Sequence, residues 1–347
     1  MQHTATWSYQ DYMIHGMSVR IGWDDELVAN WLHLLLTHFG LTPAKQATAP
    51  CIAFDILTQA DKLVVPDHAV EVDQHHGVIT RRAHDQLYMS DAYLTLRLDP
   101  LSGYGLGVFE MSPTLALSAL RPDLVVCSLI LLLRHQGLFA LHAACLECHG
   151  TGYLFVADSD NGKSTLACSL MRQGWYYLSD DSIFLRSQGH ELEALAFRKD
   201  LMLDPEAEDY FPDVVAHWAP AHVGDASKRL LHIAIAYPHQ MISHTIPEVL
   251  IFPQIVDAEQ SELVPLDNAS ALHHLVRQSL VVTFEPAMAE LHLGVLTGLL
   301  RQVRSYQLNA GRDVLEQPAQ VASRLAEFAL PVGSPIDAET RLHQGCI

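Results

Sequence analysis

Basic side chains are scarce in this sequence: 21 lysines and arginines stand against 40 aspartates and glutamates, a formal net charge of −19 with histidine neutral. A surface this acidic repels polyphosphate backbones and anionic headgroups, so neither nucleic-acid binding nor docking on an anionic membrane is expected. Any phosphate the protein holds must be held locally. Cysteine is sparse as well. Six thiols scattered over 347 residues lack the density of a secreted disulfide scaffold and read as reduced, mostly buried groups. With only 17 prolines and 19 glycines, collagen-like and low-complexity architectures are excluded. Long hydrophobic runs are missing too: the longest, 124–133, is half of the roughly 20 residues that span a bilayer. Residues 1–12 are polar and carry no basic-then-apolar signal pattern, so a soluble, cytoplasmic protein is expected.

What is present is ample material for packed cores. The chain is 49% hydrophobic, and its length fits about two domains. It also holds 21 histidines, each able to gain charge near a pKa of about 6.5, so mild acid would cancel much of the negative surplus.

The pattern of elements divides the chain. Residues 1–112 read as a mixed α+β N-terminal domain. One helix is predicted over 25–39, capped by Asp24 and stopped by Gly40, with short strands at 51–56, 62–65, 77–80, 93–98 and 107–111. A connecting helix follows over 113–135, opened by Pro113 and broken by Gly137. Residues 136–330 read as a second, α/β domain, and 331–347 as a loose tail. In the second domain a strand over 138–148 precedes a buried strand at 153–157, a polar loop, a helix from Lys163 to Gln173 and a strand at 175–179 that closes on Asp180 and Asp181. That order spells a β-loop-α-β unit at the edge of a parallel sheet. Further strands are predicted at 183–185, 230–236, 249–252 and 306–308, and helices at 269–279, 287–303 and 318–328.

The loop carries the clearest chemistry. Ala157-Asp158-Ser159-Asp160-Asn161-Gly162-Lys163-Ser164-Thr165 fits the Walker A form with Ala at its first glycine position, and it stands between an apolar strand and a helix as that motif requires. Backbone N–H groups of such a loop curl around a β-phosphate, and the helix N-terminus adds partial positive charge. Gly162 lets the chain approach without a Cβ. Lys163 supplies a point charge to the β- and γ-oxygens, and Ser164 offers a hydroxyl to Mg²⁺. Asp160 is the departure that matters, because it sets a carboxylate near the γ-phosphate position.

Asp180 and Asp181 end the strand that follows the loop helix. From there they reach the phosphate site, one to hold Mg²⁺ and the other to accept a proton from an incoming hydroxyl. Mutual repulsion would raise one of their pKa values, which suits a general base. The residues leave open which aspartate takes which role.

Leu141-His142, Gly150-Thr151-Gly152, Asp158-Ser159 with Gly162-Lys163-Ser164, and Leu178-Ser179-Asp180-Asp181 together resemble the catalytic domain of HPr serine kinase/phosphorylase and its relatives. The match is close over 136–185 and looser to about 330. The resemblance implies a P-loop kinase core of the HPr-kinase/phosphoenolpyruvate-carboxykinase type, ATP with Mg²⁺, and phosphoryl transfer to a serine hydroxyl. It gives Lys163 and Ser164 the phosphate and metal roles, gives Asp180 and Asp181 the base and metal roles, and sets His142 beside the site. Homo-oligomeric assembly is common in that family. The family carries Gly where this chain has Ala157 and Asp160, and Glu where it has Thr165. Its downstream signature, tied to the phosphorylase reaction and to HPr contact, is missing; the nearest stretch reads Ala196-Phe197-Arg198-Lys199-Asp200.

The expectation is therefore a kinase without phosphorylase activity. Its acceptor would be a protein, a peptide such as a ribosomal peptide precursor, or a small hydroxylated metabolite, with Arg198, Lys199 and Lys228 as candidates to close over phosphate. The competing expectation, kept open by Asp160, is a regulatory pseudokinase that holds nucleotide without transferring phosphate. The string Cys145-Leu146-Glu147-Cys148-His149 matches a c-type haem attachment, but strand alternation sends its two thiols to opposite faces. The pairs His75-His76 and His273-His274 lack the spacing of a helical metal site.

Overall fold

The computed structural model describes residues 7–45, 49–58, 60–75, 77–109, 122–158, 161–197, 200–220, 228–279 and 284–327. It is a mixed α/β structure with several sheets.

The first is a nine-stranded sheet whose spatial order is Thr42–Ala44, Ser8–Ile14, Met17–Trp23, Ile52–Leu57, Tyr104–Phe109, Leu94–Asp99, Gln86–Ser90, Val78–Ala83 and Val70–His75. Strict alternation sets its faces: Ile52, Phe54 and Ile56 are buried while Ala53, Asp55 and Leu57 between them are only partly so. The helix Glu26–His38 covers the buried face with Val28, Leu32, Leu35 and Leu36. Its cap is Asp25, which accepts from the Leu27 and Val28 amides, and not the predicted Asp24. Asp24 instead accepts from the amide and hydroxyl of Thr58 and so ties down the end of the neighbouring strand. Residues 62–65 form no strand: Val64 is 81% exposed, and Pro66 follows with no ladder to join. Residues 110–121, which include the predicted start of the connecting helix, lie outside the described residues.

From Pro122 to Arg134 that helix is apolar nearly all round, which requires burial on every side. It shares one apolar cluster with the nine-stranded sheet and with Phe184, Leu195 and Phe197 of the following half. These three belong to, or directly follow, a four-stranded sheet ordered Phe139–Leu141, Ile183–Gln188, Glu191–Ala196, His244–Thr245.

The sheet that positions the loop has six strands: Tyr176–Ser179, Ala144–Cys148, Thr151–Phe155, Pro247–Ile255, Arg304–Ala310 and Glu262–Pro265. It is not the simple parallel unit that the chain order predicts. Ala144–Cys148 inserts as an antiparallel strand between Thr151–Phe155 and Tyr176–Ser179. A tight turn with His149 at φ 52° and Gly150 at φ 80° allows it, since both residues are left-handed as a short hairpin demands. The two strands flanking the insert run the same way, so their carboxyl ends still share one edge. Apolar layers cover both faces. Tyr153 and Phe155 pack in the layer that holds the helices Lys163–Met171 and Pro318–Glu327, whereas Leu154 and Val156 face Asn268–Arg277 and Pro286–Gln302. A small sheet of Leu201–Leu203, Arg229–Leu231 and Trp218–Pro220 lies beyond. The strand predicted at 230–236 stops at Leu231, and Ile233–Ala236 turns helical. No helix among the described residues is long and apolar enough to cross a membrane.

Candidate functional site

Strand Thr151–Phe155 is buried along its whole length and delivers the chain to the sheet edge, where the Val156 amide still donates to the Ile251 carbonyl at 2.9 Å. The loop then turns into the helix through Gly162, at φ 75°. A side chain there would be strained by that φ, and its Cβ would also touch Ile255 at 3.4 Å. Gly162 stands at the N-cap of the helix and, having no side chain, makes no side-chain cap hydrogen bond.

Lys163 is 6% exposed, and its ammonium donates to the carbonyls of Ala157 at 2.7 Å and Asp158 at 2.9 Å. Those bonds brace the loop from within. The Asp158 side chain points outward and accepts from Gln278 at 2.5 Å, with the Arg277 guanidinium at 3.4 Å. Gln278 also accepts, through its carbonyl, from the His142 amide at 2.8 Å, so the end of the 268–277 helix ties the loop to the His142 segment. Ser159 and Asp160 lie outside the described residues, as do Arg198 and Lys199.

At the neighbouring strand end the two aspartates differ in role and exposure. Asp180 is 3% exposed and accepts from the Ser164 hydroxyl at 2.9 Å and the Tyr177 hydroxyl at 3.1 Å. The side chain of Asp181 is 35% exposed; it faces His142 Nδ1 at 3.7 Å and accepts from the Ser182 hydroxyl at 3.2 Å. The turn beneath them is held by the Ser179 hydroxyl donating to the Ser182 carbonyl at 2.8 Å.

Gly162, Lys163, Ser164, Thr165, His142, Asp180 and Asp181 thus line one cleft of about 190 Å³. Lys228 stands on its other wall beside Asp204, the two 3.7 Å apart. Asn161 borders a second hollow on the far side of Gly162. Tyr177, Asp204, Arg277 and Gln278 were not singled out from the sequence. None has a local motif, and each reaches the site only through sheet or helix packing.

The arrangement suits a small hard cation and a phosphate chain. Among the described residues no group of three or more His, Cys, Asp or Glu side chains is gathered to hold a metal. One hydroxyl and one carboxylate meeting at the start of a helix is instead the kind of partial donor set that Mg²⁺ completes with water and phosphate oxygens. The residues therefore fit such an ion, with Ser164 and Asp180 as its donors.

No family model matches the chain, and no curated protein matches it in sequence. Among solved structures, the Hpr(Ser) kinase/phosphatase from Coxiella burnetii aligns with a TM-score of 0.29 and 14% identity, over 55% of this chain and 95% of that one. A TM-score this low does not establish a shared fold.

Proposed function

We propose that the chain is an ATP-dependent kinase that transfers the γ-phosphate to a hydroxyl of a protein, a peptide or a small hydroxylated metabolite, without a phosphorylase reaction. The observation that carries this reading is the bond between Ser164 at the head of the loop helix and Asp180 at the end of the neighbouring strand. It joins the residue next to the loop lysine to a buried carboxylate, and a phosphate-binding loop needs those two donors side by side for its cation.

The chain's own residues divide the work as follows. Backbone N–H groups from Gly162 to Thr165 cradle the phosphates, and the Lys163 ammonium turns from the Ala157 and Asp158 carbonyls to phosphate oxygens. Ser164 and Asp180 would hold Mg²⁺, which when bound neutralises charge on the phosphate chain. Tyr177 keeps Asp180 in place from behind. Asp181, the more exposed carboxylate, accepts the proton of the attacking hydroxyl, and His142 orients it. Lys228 closes the opposite wall.

The test is transfer of labelled γ-phosphate from ATP with Mg²⁺ into a cell extract or a candidate peptide, comparing wild type, Lys163→Ala and Asp180→Ala. Label in wild type and loss in both variants is expected. Equal labelling in all three would sink the assignment. Tight ATP binding with no transfer to any acceptor would favour the regulatory reading, which the closed hydrogen bonding of Lys163 onto its own loop keeps alive.

A further inference from the structure

A hollow of about 920 Å³ opens where the N-terminal sheet meets the segments that carry the phosphate cleft. We propose that it is the acceptor site: it receives apolar side chains of a neutral or basic peptide segment whose serine lies in the cleft. The inference rests on the phosphoryl-transfer reading above and narrows its acceptor to a peptide chain.

Position comes first. Three segments each give one residue to the hollow and, two positions away, one to the cleft: Leu178 and Asp180, Asp200 and Met202, Leu230 and Lys228. Two residues of strand advance about 7 Å, so the two spaces are neighbours along all three segments. An extended peptide covers the same step in about two residues. A small hydroxylated metabolite held in the cleft of about 190 Å³ would leave the larger space empty.

The walls are apolar and held in place. Met13, Ile14 and Leu34 line the hollow from the N-terminal half, and Leu178, Leu230 and Ile242 line it from the other. The halves are clamped beside it. The Arg186 guanidinium donates to the His15 carbonyl at 2.9 Å, the His15 ring donates to the Ala196 carbonyl at 2.5 Å, and the rings of Phe39 and Phe197 pack 5.0 Å apart. At the mouth, Leu34 and Ile235 stay 65% and 64% exposed, so apolar surface continues outward from the hollow. The volume lies at the upper end of the roughly 300–1,000 Å³ typical of ligand pockets, and a junction between two halves is a common place for one.

Charge selects the partner. Among the described residues that line the hollow, Asp200 is the one Asp, Glu, Lys or Arg. Its carboxylate lies 3.2 Å from His232 Nδ1 and 4.0 Å from His38 Nδ1. The chain around it carries a formal charge of −19, so an acidic segment is repelled on approach and again at the site. A segment that sets Lys or Arg beside an apolar residue is drawn in.

The experiment offers the full chain, with Mg²⁺ and γ-labelled ATP, a library of synthetic peptides, each carrying one serine and a single fixed neighbour among randomised positions. Wild type should prefer Leu or Met over Asp by at least about tenfold at a position about two to four residues from the serine. Ala234→Trp, a change at an exposed residue lining the hollow, should cut that margin to about twofold or less and leave ATP affinity, read by calorimetry, within about twofold of wild type. The double change Leu34→Ser with Ile235→Ser, also at exposed positions, should do the same, and it carries the test if Ala234→Trp does not fold. No apolar preference in wild type, a preference that survives both changes, or variants that weaken ATP binding as much as peptide labelling would overturn the site. Wild type that labels proteins of a cell extract but no library peptide would overturn it and leave the phosphoryl-transfer reading standing. Wild type that labels neither would remove that reading and this inference with it.

Discussion

The hydroxyl of Ser164 donates to one oxygen of the Asp180 carboxylate at 2.9 Å, while the Tyr177 hydroxyl donates to the other at 3.1 Å. A carboxylate this deeply buried keeps its charge only where donors replace the lost water. Tyr177→Phe should therefore cost roughly 1–3 kcal/mol of folding stability, read by urea denaturation. A midpoint identical to wild type would show that the Tyr177 bond contributes nothing to holding the aspartate.

A second buried charge sits between the halves of the chain. Arg134, whose side chain is fully buried, donates to Glu285 at 2.5 Å, and His135 approaches the other carboxylate oxygen at 2.9 Å. Removing the acid breaks a buried, hydrogen-bonded ion pair, which typically costs about 3–5 kcal/mol. Glu285→Ala should show that loss in denaturant unfolding, and Glu285→Gln a smaller one. Equal stability of Glu285→Ala and wild type would contradict it.

His292 gives the fold a pH dependence. It is wholly buried against Phe139, and burial, reinforced by the nearby Arg134 charge, pushes its pKa down to about 4. The unfolded chain binds this proton more readily than the folded one, so stability is complete above the unfolded value of about 6.5 and declines as pH falls towards 4. Between pH 7 and pH 5 that amounts to roughly 2 kcal/mol. His15 is shifted the same way, chiefly by burial, and adds to the trend. His292→Leu should flatten the dependence by the His292 share, measured by denaturation at the two pH values. An unchanged slope would exclude this assignment.

Thiol reactivity should follow burial. Cys145 and Cys148 lie on one strand but in apolar layers on opposite sides of the sheet, as strand alternation requires. Burial raises all of the interior thiols, Cys148 to about 11 and Cys168 to about 12. Among the described cysteines only Cys51 is exposed. Brief alkylation of the native protein should label Cys51 and spare Cys145, Cys148 and Cys168 until denaturant is added. Early modification of Cys145 would mean that the sheet opens readily.

The strand and helix that flank the loop were legible in the sequence because their determinants are neighbours. An apolar strand, a glycine able to take φ 75°, and a helix that begins on lysine are set by residues within a few positions of one another. The same is true of the Glu26–His38 helix, misread by a single residue at its cap, since Asp24 and Asp25 are equally able to cap and only the contact with Thr58 separates them. Composition alone also made nucleic-acid binding an unpromising expectation for a chain of charge −19.

Tertiary structure decided the rest. The sequence placed two aspartates at one strand end but could not say which turns inward; packing of that strand against Ala144–Cys148 buries Asp180 against Ser164 and leaves Asp181 at the surface facing His142. The inserted hairpin strand, the Gln278 link to Asp158 and the hollow lined by Leu34 and Leu230 all join segments far apart in the chain. Backbone conformation and periodicity are local and can be read from adjacent residues. Which distant elements meet depends on how both faces of the sheets bury their apolar area, and no short stretch of sequence carries that information.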